Sequence, residues 1–133
     1  MKDAVAVVIK KNGKFLMIKR AKKGEAEDYW CPITGAVEEG EEQEQAVVRE
    51  AKEEMGLTVE PMEKVWECPT EDNEYLIHWW HVKLKDSTIE VNRNEVKAYC
   101  WADCAEMEQM TKMFSADRRF FRKIGVNLPD SCG

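Results

Sequence analysis

Two runs near the start of the chain, Ala4 to Lys10 and Lys14 to Arg20, are apolar at odd and even positions alike: Val7 is followed by Val8, and Leu16 by Met17. A strand with one wet face alternates apolar and polar residues, whereas a strand apolar on both sides belongs to a sheet covered on both faces. Between the runs lies Asn12-Gly13, a pair favoured in type I′ turns because both residues tolerate positive φ. The runs therefore read as a β-hairpin in a sheet that helices must flank.

The remaining chain supplies those helices. Ala21 to Tyr29 is charged and loop-like, Trp30 to Thr34 reads as a short strand, and Gly35 to Gly40 holds turn residues followed by acids. A helix is expected from Glu41 or Glu42 to Met55, closed by Gly56. Leu57 to Trp66 and Glu74 to Leu84 read as strands around the turn-rich Pro69 to Asn73. A further strand is expected at Val96 to Trp101, then one or two helices within Asp103 to Met110 and Ser115 to Ile124. Strands, one helix, strands and a closing helix point to an α/β fold, a small α/β/α sandwich with a mixed sheet. The chain has 133 residues, 44% of them hydrophobic, enough for one packed core and too few for two typical domains. Residues 1–133 are expected to form a single domain.

A net charge of -6 argues against a surface built to grip a polyanion with Lys and Arg, so neither a nucleic acid polymer nor a membrane is an expected partner. The start, Met1-Lys2-Asp3, lacks the zones of a signal peptide, and no apolar run approaches the ~18 residues that span a bilayer, which predicts a cytoplasmic protein. Cys31, Cys68, Cys100, Cys104 and Cys132 show no C-x-x-C spacing and are expected to be reduced thiols. Exposed apolar surface would allow a homodimer, but nothing in the sequence locates one.

The predicted helix carries the chemistry. At 100° per residue, Val47, Val48, Ala51 and Met55 form an apolar arc, Gln45, Arg49 and Lys52 face away, and Glu50, Glu53 and Glu54 occupy an arc beside the apolar one. Glu50 repels Glu53 and Glu54 at i,i+3 and i,i+4, each pair costing roughly 0.2–0.5 kcal/mol, in the half of the helix whose dipole disfavours negative charge. Glu39, Glu41, Glu42 and Glu44 sit at the favourable end. Carboxylates converging from one rigid element, without matching basic partners, are what hard Mg²⁺ or Mn²⁺ requires. A solvated acidic face with Arg49 paired to Glu53 fits helix physics equally well. Spacing separates the two.

Gly35, then Glu41, then Arg49-Glu50-Ala51-Lys52-Glu53-Glu54-Met55-Gly56-Leu57 resembles the complete Nudix box, G-x5-E-x7-R-E-U-x-E-E-x-G-U with U a bulky aliphatic. The soft departure is Ala51, smaller than the usual residue. The N-terminal hairpin, the approach from Trp30 to Thr34, and Tyr99-Cys100-Trp101 are similar to the family too. The resemblance implies the Nudix fold and a Mg²⁺-dependent pyrophosphohydrolase, with Mn²⁺ as a substitute, acting on a small-molecule nucleotide. It implies that Glu50 and Glu54 are metal ligands, Glu53 an additional or water-mediated one, and the Gly35 carbonyl a backbone one. Arg49 would orient the acids, and Glu41 would hold the loop-helix-loop element through Arg49. Glu95, six residues before Trp101, is similar to an acid outside the box that contacts metal or activates water, or is a plain turn carboxylate. Either Glu50 or Glu95 would be the general base.

For the substrate, Arg20 could meet the outer phosphate or be an ordinary loop cation, and Lys22 and Lys23 read as solvated. Trp30, Tyr75, Trp79 and Trp80 are candidates to stack a base. Trp79 and Trp80 face opposite sides of a strand, so at most one lines the site. His78 and His81 face opposite ways and are expected to be structural. Thr34 to Gly40 and Asn94 to Trp101 are similar to dihydroneopterin triphosphate pyrophosphatases, while Tyr75 lies where dinucleoside polyphosphate hydrolases carry a tyrosine. The preferred reading is hydrolysis of a nucleoside triphosphate or other nucleoside diphosphate derivative. Hydrolysis of a dinucleoside polyphosphate or ADP-ribose, and a non-catalytic nucleotide sensor, are the alternatives.

Overall fold

The computed structural model describes residues 1–24 and 26–132. Its strands are β1 (Lys2–Val8), β2 (Lys10–Lys11), β3 (Lys14–Arg20), β4 (Trp30–Cys31), β5 (Ile33–Ala36), β6 (Thr58–Pro69), β7 (Tyr75–Asp86) and β8 (Val96–Ala102). The α-helices are α1 (Gln43–Met55), α2 (Cys104–Met107) and α3 (Ser115–Lys123). The strands make two sheets of four. One has the order β5-β1-β7-β6 and is mixed, since β1 runs parallel to β7 and antiparallel to β5. In the other, β3 pairs antiparallel with β2, β4 and β8.

Both faces of β1 and β3 are buried, as their apolar runs require. Val5, Val7, Leu16 and Ile18 belong to the core under α1, with Val47, Ala51 and Met55. Ala6, Val8, Phe15 and Met17 belong to a second core under α3, with Trp79, Phe120 and Phe121. The helical arc differs from expectation at one point. Val48 is exposed, and Ala46 is buried in its stead.

The expected hairpin is only partly formed. Asn12 and Gly13 do turn the chain with positive φ, 53° and 78°. Both edges of β1, however, are taken by β5 and β7, so only Lys10 and Lys11, past a break at Ile9, pair with β3. The strand from Trp30 also divides. Pro32 lacks an amide donor and separates β4, in the sheet of β3, from β5, in the sheet of β1. These two transfers carry the chain between sheets and bring Arg20, Cys31 and Thr34 together. All five cysteines are free thiols, and no helix among the described residues is long and apolar enough to cross a membrane.

Candidate functional site

The site is built on α1 and its approaches. Glu42 caps the helix, its N–H donating to Gln45 Oε1 at 2.8 Å. Gly56, at φ 68°, closes it in the left-handed conformation that an L side chain adopts only with strain. The loop ahead of the helix is held by Arg49. Its Nε and Nη2 donate to the two oxygens of Glu41 at 2.8 and 2.9 Å, and Nη2 also reaches the Ala36 carbonyl at 2.9 Å. Its Nη1 donates to Glu50 at 2.7 Å and Glu53 at 3.2 Å. A guanidinium satisfies this many acceptors through its planar fork; an ammonium could not. Hydrogen bonding from Arg49 holds the Glu41 carboxyl below the usual range, and the same bonds push the Arg49 pKa up.

The three helix acids do not share one environment. Glu53 is solvent-facing, Glu50 is largely covered, and Glu54 is only 5% exposed. The Glu50 carboxyl lies directly over the Gly35 backbone, where a Cβ would collide with it. Glycine is thus required at Gly35 for close approach rather than for φ. The Glu54 oxygen Oε2 is buried without a hydrogen-bond partner. Burial pushes the Glu54 pKa well above the carboxylate range, helped by its hydrogen bond to Glu50 and the charges of Glu50 and Glu95, and opposed by Arg20.

An orphaned buried oxygen, a backbone cradle at Gly35 and an all-oxygen donor set suit a hard divalent cation. Among the described residues, no three acidic, histidine or cysteine side chains converge on one point as they stand. Arg49 holds Glu50 and Glu53, and Lys22 holds Glu95 at 3.4 Å. The candidate donors for such a cation are Glu50, Glu54, Glu53 and the Gly35 carbonyl.

The substrate candidates are sorted by the sheet faces. Arg20 donates from Nη1 to Thr34 Oγ1 at 3.3 Å and approaches Cys31 Sγ at 4.0 Å, while its buried Nε has no partner. Trp30 is half-buried, its N–H donating to the Lys112 carbonyl at 2.7 Å. Tyr75 is half-buried at the start of β7, with Lys2 Nζ 5.9 Å from its ring centroid. Trp79 must be removed from the base-stacking candidates. It is 1% exposed and stacked on Phe120 at 4.1 Å between centroids, filling the core under α3. Trp80 packs under α1 and donates to Gln43 Oε1 at 3.0 Å. Both tryptophans thus lie beneath helices. His78 Nε2 lies 2.9 Å from Asp3 Oδ1, and His81 Nε2 lies 2.9 Å from the Pro129 carbonyl oxygen.

One residue escaped the sequence reading. Asp117, in the first turn of α3, is 7% exposed, and burial pushes its carboxyl up to about 7 against the opposing charge of Arg20. Its charge is felt at Cys31 and Cys68, and Arg20 acts on both Asp117 and Glu54. On the same face of the first sheet, Ala4, Ala36, Ile77 and Cys68 form one cross-strand row of small and apolar residues, with Tyr75 two residues further along β7.

The NUDIX domain family model matches residues 1–124. CTP pyrophosphohydrolase of Escherichia coli (strain K12) is 31% identical over 102 residues, 75% of this chain and 76% of that protein. The MutT protein from Methanosarcina mazei Go1 superposes with a TM-score of 0.78 at 20% identity, covering 92% of this chain and 91% of that one. The solution structure of the E. coli ORF135 protein gives 0.74 at 27% identity, covering 95% and 89%. A Caenorhabditis elegans Ap4A hydrolase, solved as a binary complex, gives 0.76 at 20% identity, covering 92% and 96%. A family match across nearly the whole chain, on the fold and the glutamate helix described above, makes this protein a member of the Nudix family and a pyrophosphohydrolase.

Proposed function

We propose that the protein hydrolyses a nucleoside triphosphate, cytidine triphosphate or a close analogue, to the monophosphate and pyrophosphate. The observation that carries this reading is a pair of buried carboxyls on two helices, Glu54 in the acid centre of α1 and Asp117 on α3. The first suits a metal-bound polyphosphate and the second suits a base. The name of the E. coli relative supports cytosine as that base. So does the chemistry, since a neutral carboxylic acid offers one acceptor and one donor side by side. Its carbonyl accepts from the cytosine amino group and its hydroxyl donates to the ring nitrogen.

Mg²⁺, or Mn²⁺ in its place, supplies charge neutralisation of the phosphates and a bound water of lowered pKa. The protein does the rest. Glu54 and Glu50 would hold the cation, with Glu53 and the Gly35 carbonyl as further donors. Arg49 keeps the acids and the Glu41 loop in place. Water adds to phosphorus as the anhydride P–O bond breaks, its proton passing to a carboxylate and pyrophosphate leaving as the anion. Glu50, paired with Arg49, or Glu95, paired with Lys22, would accept that proton. Arg20 faces the phosphates, and Trp30 and Tyr75 border the ring.

The test is a panel of nucleoside triphosphates, dihydroneopterin triphosphate, diadenosine polyphosphates and ADP-ribose with Mg²⁺, products identified by mass, beside Glu54→Gln. Expected is conversion of CTP to CMP and pyrophosphate, lost in the variant. Turnover confined to diadenosine polyphosphates would move the substrate to that class, and tight binding without any turnover would make the chain a sensor.

A further inference from the structure

The family match ends at residue 124, and the chain that follows is bonded into the gap between the two sheets. β1 pairs with β7 as far as Val8 opposite His81, then leaves it at Ile9, and Lys10 belongs to the other sheet. The buried Ser131 fills that opening. Its N–H donates to the Lys10 carbonyl at 2.7 Å, its hydroxyl accepts from the Lys10 N–H at 2.9 Å, and its carbonyl accepts from the Leu84 N–H at 2.8 Å. Two buried bases grip the chain just ahead of it. Lys10 Nζ donates to the Leu128 carbonyl at 2.8 Å and to those of Gly125 and Val126 at 3.2 and 3.3 Å, and His81 Nε2 lies 2.9 Å from the Pro129 carbonyl oxygen. Lys10 and His81 thus hold consecutive carbonyls.

We infer that residues 128–131 form an acid-released clasp between the sheets, closed by Lys10 and His81 together and opened when the His81 ring takes up its second proton. A carbonyl oxygen only accepts, so Nε2, facing Pro129, carries the one proton of the neutral ring, and the next must go to Nδ1. That step places a second buried cation beside the Lys10 ammonium. Three carbonyls meet the first charge and one meets the second. The other groups around the ring are Glu63, opposite His81 on β6, and Asp130 of the clasp, which accepts from the Asn12 N–H at 3.1 Å; β1 places Val8 there. Burial holds the His81 pKa below the ordinary histidine range and Lys10 adds to this, against the Pro129 bond and the Glu63 charge. The closed clasp therefore resists a proton that the open one accepts. It is favoured above the ordinary histidine value and loses ground as pH falls through it. Opening hydrates both bases and frees the Leu84 and Ser131 amides.

The experiment is residue-resolved amide hydrogen exchange of the wild type, His81→Gln and Ser131→Pro at about pH 8 and about pH 5, the window in which a histidine changes charge. Protection factors remove the intrinsic pH dependence of exchange, and the Val7 amide, inside β1, reports opening of the whole fold. In the wild type, Leu84 and Ser131 should be protected at the higher pH and lose protection roughly tenfold at the lower, while Val7 keeps its own. Glutamine brings an amide N–H near the position of Nε2 and does not titrate, so His81→Gln should hold the clasp closed at both values. Ser131→Pro removes the N–H that donates to Lys10 and should expose the Leu84 amide at both. The acid-released clasp is overturned if wild-type protection at Leu84 and Ser131 is equal at the two values, falls only in step with Val7, or falls as far in His81→Gln. Leu84 protection unchanged in Ser131→Pro would show that the clasp does not cover β7, which overturns it as well.

Discussion

The most consequential single group is Glu54, a carboxyl buried in the apolar face of a helix with an unpartnered oxygen. Without metal it is expected to destabilise the fold. Its folded pKa lies above the ordinary value of 4.5, so the folded state binds the extra proton and stability falls as pH rises from the unfolded pKa toward the folded one. Replacing it with glutamine keeps the shape and removes the ionisation. In chelator, Glu54→Gln should therefore be more stable than the wild type by ~1–2 kcal/mol near pH 8, with the gap closing toward pH 5. Mg²⁺ should stabilise the wild type by mass action and leave the variant unmoved. Denaturant melts with and without Mg²⁺ check both. A wild type more stable than the variant in chelator at high pH would mean that Glu54 is satisfied as an anion.

At the scale of elements, α1 with its preceding loop behaves as one unit because Arg49 closes it on three sides. Glu41, Glu50 and the Ala36 carbonyl all converge on one guanidinium. Lysine retains the charge and loses the fork, so Arg49→Lys should cost ~1–3 kcal/mol of stability and lower kcat by roughly 10- to 100-fold through misplaced acids. Melting curves and steady-state rates measure the two. Unchanged kcat would show that the acids hold their places unaided. This element was the most legible in the sequence, because glycine closure and the arc of acids follow from helix geometry, while the partners of Arg49 came from the resemblance to the Nudix box. The hairpin was less so. A run apolar on both faces says that a strand is covered, but not which neighbours cover it, and β1 found its partners in β5 and β7. Trp79 illustrates the same limit: alternation placed it opposite Trp80, and only the position of Phe120 shows which side α3 fills.

For the whole molecule, the telling arrangement is that the reacting phosphates and the base would be held by parts of the chain remote in sequence. Asp117 reads locally as an acid in a first helical turn, where the dipole welcomes it. Only the tertiary fold buries it, under the core that α3 closes with Phe120 and Phe121, which is why sequence spacing passed it over. Its carboxyl, pushed up to about 7, is a neutral donor and acceptor below that pH and an acceptor only above it. Recognition of cytosine should therefore weaken as pH rises through about 7, appearing as a rising KM for CTP with kcat little affected. Asparagine offers an acceptor and a donor at every pH, so Asp117→Asn should bind CTP comparably and lose this inflection. Asp117→Ala should raise KM roughly 10- to 100-fold at all pH values, the cost of one lost pair of hydrogen bonds. The profiles of KM against pH for the three proteins decide the matter. An inflection that persists in the asparagine variant belongs to another group, and a KM indifferent to alanine would place the base elsewhere on the sheet.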